Sequence, residues 1–320
     1  MTSPSSDSKP ELLEASTQFN PVRALDRNFQ RLTLLLAISV GAILIWIAYS
    51  LLIIALPAIQ TFGLGFLVDS TWDPVKNIYG ALPHVYGTVL SSLLALIFAV
   101  PLGVGVAIFL TENFLDQKIL RPIAFTIELL AAIPSVVYGL WGLFVFLPTI
   151  KPLLQGLHQF FGWIPFFSTE PGGRQLLGAS LVLAIMILPT IIAISRDTLT
   201  SLPPKLRQGA YGLGATRWET IVLVLLPAAL SGIVGSVMLA LGRALGETMA
   251  LAMLVGNANA VNISWLAPAS TLSSLIANQF GEASGLQKSS LFYEALILMV
   301  LTLLVNVLAQ ALVSRFQQVE

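Results

Sequence analysis

The sequence predicts an all-α integral membrane protein with six transmembrane helices. Hydrophobic residues make up 56% of the 320 positions and charged residues only 10%, whereas soluble globular chains carry about 25% charged residues. Several apolar stretches also exceed the roughly 18 residues that identify a membrane-spanning helix. These observations exclude an ordinary soluble domain and make the lipid bilayer the first partner of the chain.

Six apolar stretches, separated by polar or turn-forming segments, are predicted to cross the membrane. The segment before them, residues 1–31, is too poor in apolar residues to pack a core, so we predict a partly disordered tail. Within this tail, Val22–Arg31 is expected to form a short surface helix, and residues 314–320 form the other terminal tail. In chain order the predicted spans are 32–58, 85–110, 122–148, 176–195, 222–256 and 290–313.

The distribution of lysine and arginine predicts that both termini lie on the cytoplasmic side, because cytoplasmic loops carry an excess of these residues. With the N-terminus inside, the outer segments hold only Lys76, Lys151, Arg174 and Lys288. One further cation, Arg243, lies within the fifth predicted span. The cations of the cytoplasmic segments are Lys9, Arg23, Arg27, Arg31, Lys118, Arg121, Arg196, Lys205, Arg207, Arg217 and Arg315.

Three outer segments differ in character. Residues 59–84 are predicted to be irregular. Residues 149–175 contain "FGWIPFFSTEPGG", whose aromatic and turn-forming residues suit a loop on the membrane surface. Residues 257–289 contain an apolar repeat at helical spacing from Leu272 to Phe280, which predicts a short amphipathic helix at the outer face.

Several functions are disfavoured by what the sequence lacks. Cysteine is absent, so no disulfide or thiolate metal site is expected. His84 and His158 fall on outer loops with no partner at ligand spacing, so no metal site is predicted. A formal net charge of +0 gives no reason to expect nucleic acid as a partner. The sequence has no Gly-x-x-x-x-Gly-Lys-Ser/Thr motif, so nucleotide binding is expected on another chain or the energy comes from an ion gradient.

The cytoplasmic segment 196–227, "RDTLTSLPPKLRQGAYGLGATRWETIVLVLLP", is predicted to form two short helices joined by a turn. Leu206–Leu213 can form the first helix, and Gly214 offers the turn. Thr216 and Glu219 have the Thr-x-x-Glu spacing of a capping box, which predicts the start of the second helix. Such a protrusion can bind in a groove of a soluble partner and transmit the partner's movement to the adjoining spans.

This segment resembles the EAA loop of ABC importer permeases. That loop reads Glu-Ala-Ala, three residues, Gly, nine residues, Ile, one residue, Leu-Pro. Here Gln208 and Gly209 replace the first two residues and Val224 replaces the Ile, while the rest of the pattern keeps its spacing. The residues that the resemblance assigns to coupling with an ATPase are Gln208, Gly209, Ala210, Gly214, Leu226 and Pro227.

Two further stretches resemble the membrane permease subunits of phosphate ABC importers. These stretches are "IELLAAIPSVVYGLWG" (127–142) and "GRALGETMA" (242–250), and the resemblance covers residues 85–313. It implies a type I ABC importer permease fold, with a permease core of five spans at 85–313 and a location in the bacterial cytoplasmic membrane.

The same resemblance implies four partners and no catalytic residue. The partners would be a homologous permease subunit, two copies of an ATP-binding subunit and an extracytoplasmic phosphate-binding protein. No cofactor is expected in this chain, because ATP and magnesium would bind to the partner ATPase.

Arg243 and Glu247 are two opposite charges inside the fifth predicted span. An unpaired charge at that depth costs at least about 2.5–3.5 kcal/mol. One interpretation is a structural ion pair, although the favourable helical order places the acid before the base and here the order is reversed. The other places both residues on the substrate pathway, where the guanidinium binds the anion and Glu247 weakens its grip. The sequence favours the pathway interpretation.

Other polar positions in the spans carry weaker predictions. Ser135 follows Pro134 and could offer a hydroxyl or free backbone donors to the substrate where the helix is interrupted, or the proline could only shape packing. Glu128 is interpreted as interfacial or bonded to a neighbouring helix. Glu294 is interpreted as interfacial.

Three classes of function remain open from the sequence. The first is the permease of a phosphate ABC importer. The second is a permease of the same architecture for sulfate, molybdate or an amino acid. The third, an ion-driven secondary transporter, is disfavoured because it should show inverted hydropathy repeats with matching broken helices, and no such symmetry is seen.

Overall fold

The computed structural model describes residues 21–112 and 114–317, with the side chains of 21–27, 117 and 312–317 left out. Most of the predicted tail 1–31 and the end of the tail 314–320 therefore lie outside the described residues. The chain divides into two compact units, Met1–Ser50 and Leu51–Glu320.

Helix α1, Pro21–Phe62, occupies the described part of the first unit and continues into the second. It is continuous through residue 31, so the boundary predicted there is a change in composition and not a structural break. Within the first unit its described side chains are almost all exposed and largely apolar, which suits a lipid-facing helix.

The second unit is built almost entirely of helices. A 3-10 turn at Gly63–Leu67 and a two-stranded hairpin, β1 Trp72–Asp73 with β2 Ile78–Tyr79, follow α1. The hairpin corrects the prediction of a wholly irregular segment at 59–84. The helices are α2 Leu82–Thr111, α3 Gln117–Ala131, α4 Ser135–Trp141, α5 Leu147–Phe161, α6 Leu176–Ser201, α7 Pro204–Gly212, α8 Arg217–Glu219, α9 Leu226–Leu245, α10 Met249–Leu254, α11 Leu272–Gln279 and α12 Gly285–Gln317.

Two π-helical segments join neighbouring helices without a break. Gly142–Phe146 connects α4 to α5, and Thr220–Leu225 connects α8 to α9. A short 3-10 turn, Pro165–Phe167, lies between α5 and α6. Since π segments insert an extra residue into a helix, each one changes which side chains face the neighbouring helices.

Six helical segments among the described residues are long and apolar enough to cross a membrane. The predicted all-helical class and number of spans are therefore confirmed, whereas the predicted orientation stays a prediction. The six segments are Asn28–Leu67, Leu82–Thr111, Ser135–Phe161, Leu176–Ser201, Arg217–Leu245 and Gly285–Ala311.

Helix α6 lies at the centre of the second unit and packs against both α2 and α9. The largest cluster of buried apolar residues lies where these helices meet α4 and α10. Small residues allow the close approach: a Cβ added at Gly103 of α2 would lie only 2.7 Å from the Ile191 side chain of α6. The core of the fold is therefore a tight packing of long helices, and the functional segments are attached to its ends.

The third predicted span, 122–148, is wrong in its position. Helix α3 ends at Ala131, the helix is interrupted at Ala132–Pro134, and the membrane-length segment is Ser135–Phe161. Pro134 explains the interruption, because proline lacks an N–H donor and restricts the residue before it. The first half of the predicted surface loop 149–175 is consequently helical.

The predicted outer helix after α10 is present as α11. Its first four residues are buried and it packs against α2, α10 and α12, so the helix is part of the packed protein, and its position at the outer face of the membrane stays a prediction. Its start is fixed by a capping box in which Thr271 and Ser274 exchange hydrogen bonds.

Candidate functional site

The segment that resembles the EAA loop folds as the sequence predicts. Helix α7 ends at Gly212, and Gly214 adopts the left-handed conformation, with φ +87°, that reverses the chain. The Thr216 hydroxyl accepts a hydrogen bond from the Glu219 N–H at 3.3 Å, and a Glu219 carboxylate oxygen accepts one from the Thr216 N–H at 2.7 Å. This capping box starts the helical run that leads through α8 into α9.

The six predicted coupling residues divide into exposed and packed positions. Gln208, Gly209, Gly214 and Pro227 are exposed, so they are available to a partner. The other two pack against the fold: Ala210 is buried and Leu226 lies against the apolar cluster formed by α2, α6 and α9. A coupling segment needs both features, because it must contact a partner and transmit the resulting force.

An exposed apolar surface extends this segment beyond the predicted residues. Leu213 is 92% exposed and Trp218 is 67% exposed, and Tyr211 is exposed as well. Three large apolar side chains on one short segment are unusual at a solvated surface and typical of a protein contact. Because these side chains lie around the Gly214 turn, the turn is a candidate contact surface.

The coupling segment is tied to the end of α2 by a buried carboxylate that the sequence analysis did not single out. A Glu112 carboxylate oxygen accepts hydrogen bonds from Arg207 Nη2 at 2.8 Å and Nε at 3.2 Å. Arg217 donates to the Glu112 carbonyl and stacks over the Phe114 ring. Helices α7 and α8 are therefore joined by side-chain contacts directly to the end of α2, as well as along the chain to α6 and α9.

We expect Thr216→Ala to lower transport without preventing insertion of the chain. The substitution removes the hydroxyl that caps the helix start, which costs about 1 kcal/mol of helix stability. The destabilised segment around Thr216 should then transmit movement between the ATPase and the membrane helices less efficiently. The number of substrate molecules moved per ATP hydrolysed should therefore fall severalfold in reconstituted vesicles. Thr216→Ser keeps the hydroxyl and is the matched control. Unchanged coupling in Thr216→Ala would contradict this role for the cap.

The second candidate region is the interruption of the fifth predicted span. That span does not run to residue 256 as predicted: α9 ends at Leu245 and the helix resumes at Met249. Arg243 therefore lies in the last turn of α9 and not near the middle of a helix. Its side chain is half-buried, and Nη1 donates to the Thr190 hydroxyl of α6 at 3.5 Å. The guanidinium thus keeps unused donors beside the break.

Glu247 lies inside the break, at Gly246–Thr248. A carboxylate oxygen accepts a hydrogen bond from the Ala250 N–H at 3.2 Å, and the Glu247 carbonyl accepts one from the Ser273 hydroxyl at 2.7 Å. The side chain is only 8% exposed. Glu247 therefore satisfies one of the free N–H groups at the start of the next helix, which stabilises the helix break.

The structural Arg243–Glu247 ion pair, the less favoured of the two interpretations of the sequence, is not formed in this structure. Among the described side chains, the ion pairs involve neither residue. The expectation assumed a continuous helix with the two residues one turn apart, and the break after Leu245 removes that geometry. A static ion pair is accordingly the weaker interpretation of these two charges.

Ser135 lies at the other interruption, Ala132–Pro134, as the first residue of α4, and is partly exposed. Helix α4 packs against α10 at Gly139, where an added Cβ would lie 3.2 Å from the Ala250 Cα. The hydroxyl of Tyr138 donates to the Leu130 carbonyl across the break at 2.9 Å. The structure therefore places α4 and α10, the helices that follow the two breaks, side by side. We call the breaks at Ala132–Pro134 and Gly246–Thr248, together with these two helices, the two-break region.

Two carboxylates have partners that the sequence did not specify. Glu128 accepts a hydrogen bond from Arg196 of α6 at 3.3 Å, which agrees with the expected bond to a neighbouring helix. Glu294 is fully buried and not interfacial, and its Oε1 lies 2.7 Å from His84 Nδ1. His84 belongs to α2 and not to an outer loop, and its Nε2 lies 3.2 Å from the Asn259 side-chain oxygen. Among the described residues, no group of three or more His, Cys, Asp or Glu could hold a metal ion.

The structure combines membrane-length helices, a helix break beside a half-buried arginine and an exposed, capped cytoplasmic-type segment, and these features suit a membrane component of a transporter. A family model described as binding-protein-dependent transport system inner membrane component matches residues 99–318. The chain belongs to this family.

Named relatives show which permeases of this family the chain is similar to in sequence. The chain is 46% identical over 295 residues to the phosphate transport system permease protein PstC of Haemophilus influenzae, covering 91% of this chain and 93% of the relative. It is 34% identical to the probable PstC of Methanocaldococcus jannaschii, covering 82% of this chain and 86% of the relative. The resemblance to the permease subunits of phosphate importers, which the sequence predicted from two short stretches, is confirmed.

Solved structures of ABC transporters share the fold. A bacterial alginate ABC transporter, solved in complex with a pentasaccharide-bound periplasmic protein, matches with a TM-score of 0.58 at 18% identity, over 90% of this chain and 96% of that one. An inward-facing MetNI methionine ABC transporter matches with a TM-score of 0.53 at 17% identity, over 74% of this chain and 94% of that one. These matches confirm the predicted importer-permease architecture.

Proposed function

We propose that this chain is the permease subunit that forms half of the transmembrane pathway of an ATP-driven importer of inorganic phosphate. The single observation that carries the proposal is the position of Arg243, which lies half-buried in the last turn of α9 beside a helix break. Among the described residues, its one hydrogen-bond partner is the Thr190 hydroxyl. The names and high identity of the curated relatives support phosphate over other oxyanions.

The chemistry at Arg243 suits a travelling phosphate. A phosphate that leaves water must exchange its hydration shell for fixed donors, and a guanidinium offers two parallel N–H groups to two oxygens. Ser135, at the start of the helical run Ser135–Phe161, adds a hydroxyl and free backbone N–H groups in the two-break region. Donors from two interrupted helices would then share the anion, and neither helix alone would bind it too tightly for release.

Glu247 would limit how tightly the anion is held. In this structure its carboxylate is bonded to the Ala250 N–H, which leaves Arg243 available. We propose that a change in the break releases this carboxylate toward Arg243, so that it replaces the phosphate as the pathway reopens.

The coupling segment would receive the movement of the ATPase. The exposed surface around Gly214, with Leu213 and Trp218, would bind in a groove of the ATP-binding subunit, and Glu112 would transmit the motion to α2. This chain itself would be non-catalytic, with ATP and magnesium on the partner.

The assembly would contain a homologous PstA-like permease, two PstB-like ATPases and a PstS-like phosphate-binding protein outside the membrane. Both termini would face the cytoplasm of a bacterial cell, as the excess of Lys and Arg in the short cytoplasmic loops predicts.

The proposal is tested by uptake into vesicles that contain the complete reconstituted complex, with the binding protein outside and ATP inside. Labelled phosphate should accumulate only with ATP, and unlabelled phosphate should compete while sulfate and molybdate do not. A complex with a hydrolysis-deficient ATPase is the control. Equal competition by sulfate, or accumulation driven by an ion gradient without ATP, would reject the proposed function.

A further inference from the structure

A second cluster of cations lies around a cavity at the end of the fold that carries the coupling segment. The cavity has a volume of about 490 Å³ and lies between the end of α2, the start of α3, the end of α6 and α7. Arg243 does not line it, so it is separate from the two-break region. The lining residues are Leu110, Thr111, Leu120, Arg121, Ala124, Arg196, Thr200 and Arg207.

The described lining residues include three arginines and no carboxylate. Arg196 and Arg207 are paired with carboxylates that do not line the cavity: Arg196 lies 3.3 Å from Glu128 and 3.9 Å from Asp197, and Arg207 lies 2.8 Å from Glu112. No hydrogen bond or ion pair joins the Arg121 side chain to another described residue. The cavity therefore contains one guanidinium without a described partner, that of Arg121, together with two guanidiniums that are paired with carboxylates.

The remaining lining residues are small or apolar. The Thr111 and Thr200 hydroxyls donate to carbonyls of their own helices. Leu110, Leu120 and Ala124 form an apolar wall. These guanidiniums match the several oxygens of a tetrahedral phosphate group, because Arg121 offers paired N–H donors and the other two keep N–H groups beyond those bonded to carboxylates. Basic pockets between membrane helices on the cytoplasmic side also suit the headgroups of anionic lipids, and an apolar wall would contact the acyl chain.

We propose that this cavity binds a phosphate group, supplied either by free inorganic phosphate or by the headgroup of an anionic lipid. The bound group would join α3, α6 and α7 through Arg121, Arg196 and Arg207. Because α7 belongs to the coupling segment, occupancy would alter how freely that segment moves against the membrane helices. The inference stands on the cavity and its charges and does not depend on which substrate crosses the two-break region.

The test uses the absence of native cysteine, which makes any introduced thiol unique in this chain. Ala124→Cys places a thiol in the cavity wall, and its reaction rate with a neutral maleimide is measured in the complete complex. The control thiol, Ala260→Cys, lies exposed in the segment between α10 and α11. Both rates are measured in delipidated detergent with and without inorganic phosphate, and in nanodiscs of phosphatidylglycerol or of phosphatidylcholine.

A bound phosphate group should protect the cavity thiol. Labelling at position 124 should slow about tenfold when the ligand is present at about ten times its dissociation constant, and labelling at position 260 should not change. Protection by inorganic phosphate in detergent identifies the free ion as the ligand. Protection only in phosphatidylglycerol nanodiscs identifies the lipid headgroup.

Adding Arg121→Gln to the cysteine variant should abolish the protection, whereas adding Arg243→Gln should leave it intact. The inference is overturned if no condition slows labelling at position 124, or if the protection survives Arg121→Gln. The Arg243→Gln arm separates this result from the proposed function, because that variant should lose uptake and still show protection.

Discussion

Replacing Arg243 by glutamine is expected to abolish ATP-driven phosphate uptake while the complex still assembles. Glutamine keeps much of the length of the side chain but loses the charge and the paired donors. Each charge-assisted hydrogen bond contributes about 1.5–3 kcal/mol. The loss of two such bonds should lower uptake by about two orders of magnitude or more.

Assembly is not expected to depend on Arg243, because the side chain is only half-buried and its one described hydrogen bond, to the Thr190 hydroxyl, is long at 3.5 Å. Size-exclusion chromatography with the partner subunits checks this point for every variant. Arg243→Lys keeps the positive charge but loses the planar pair of N–H donors, and its uptake should lie between that of the unmodified complex and that of Arg243→Gln. Thr190→Val removes the hydrogen-bond partner and should have a small effect. Normal uptake by an intact Arg243→Gln complex would remove Arg243 from the pathway.

Replacing Glu294 by alanine is expected to be the most destabilising single change discussed for this chain. The carboxylate and the His84 ring are both fully buried and lie 2.7 Å apart. Removing one member of a buried pair leaves the other without compensation and costs about 3–5 kcal/mol. The temperature at which half of the purified complex is lost should fall by roughly 10 °C.

The effect of Glu294→Ala is measured by heating the detergent-purified complex and quantifying the remaining folded fraction by size exclusion. Glu282→Ala removes an exposed carboxylate from the same region of the chain and should change little. The double variant His84→Leu with Glu294→Leu removes both polar groups and should recover much of the stability. A double variant that is less stable than Glu294→Ala alone would show that the pair is not the source of the effect.

Local chemistry explains which parts of this structure could be predicted from the sequence. Thr216, Glu219 and Gly214 determine a cap and a turn by contacts within a few residues, so their pattern was sufficient to predict the geometry of the coupling segment. The number of spans was equally predictable, because membrane thickness sets the length of an apolar helix that crosses the membrane.

Helix breaks inside apolar stretches were harder to predict from the sequence, because hydropathy is averaged over a window that includes the break. Pro134 was visible as a possible kink, but the averaged signal placed the third span before it and not after it. Gly246 was a sequence signal for the second break, since glycine destabilises a helix. What makes that break stable, however, is the bond from the Ala250 N–H to Glu247, and no spacing rule predicted it.

Contacts between distant residues were not predictable from one sequence. Glu294 and His84 are separated by most of the chain and meet only because α12 and α2 are brought together. The link between Glu112 and Arg207 has the same origin. The signal that could have identified them is the high cost of a carboxylate in or next to an apolar span, which requires a partner to be sought elsewhere.

The hydroxyl of Ser273 connects the start of α11 to the helix break at Glu247. It donates to the Glu247 carbonyl, while the neighbouring Leu272 N–H donates to the Thr88 hydroxyl of α2 at 2.9 Å. The start of α11 is thus fastened both to a long structural helix and to the peptide bond that follows Glu247. A displacement of α11 would therefore pull on that peptide bond without first bending α9, which gives the packing of α11 a short mechanical route to the helix break beside Arg243.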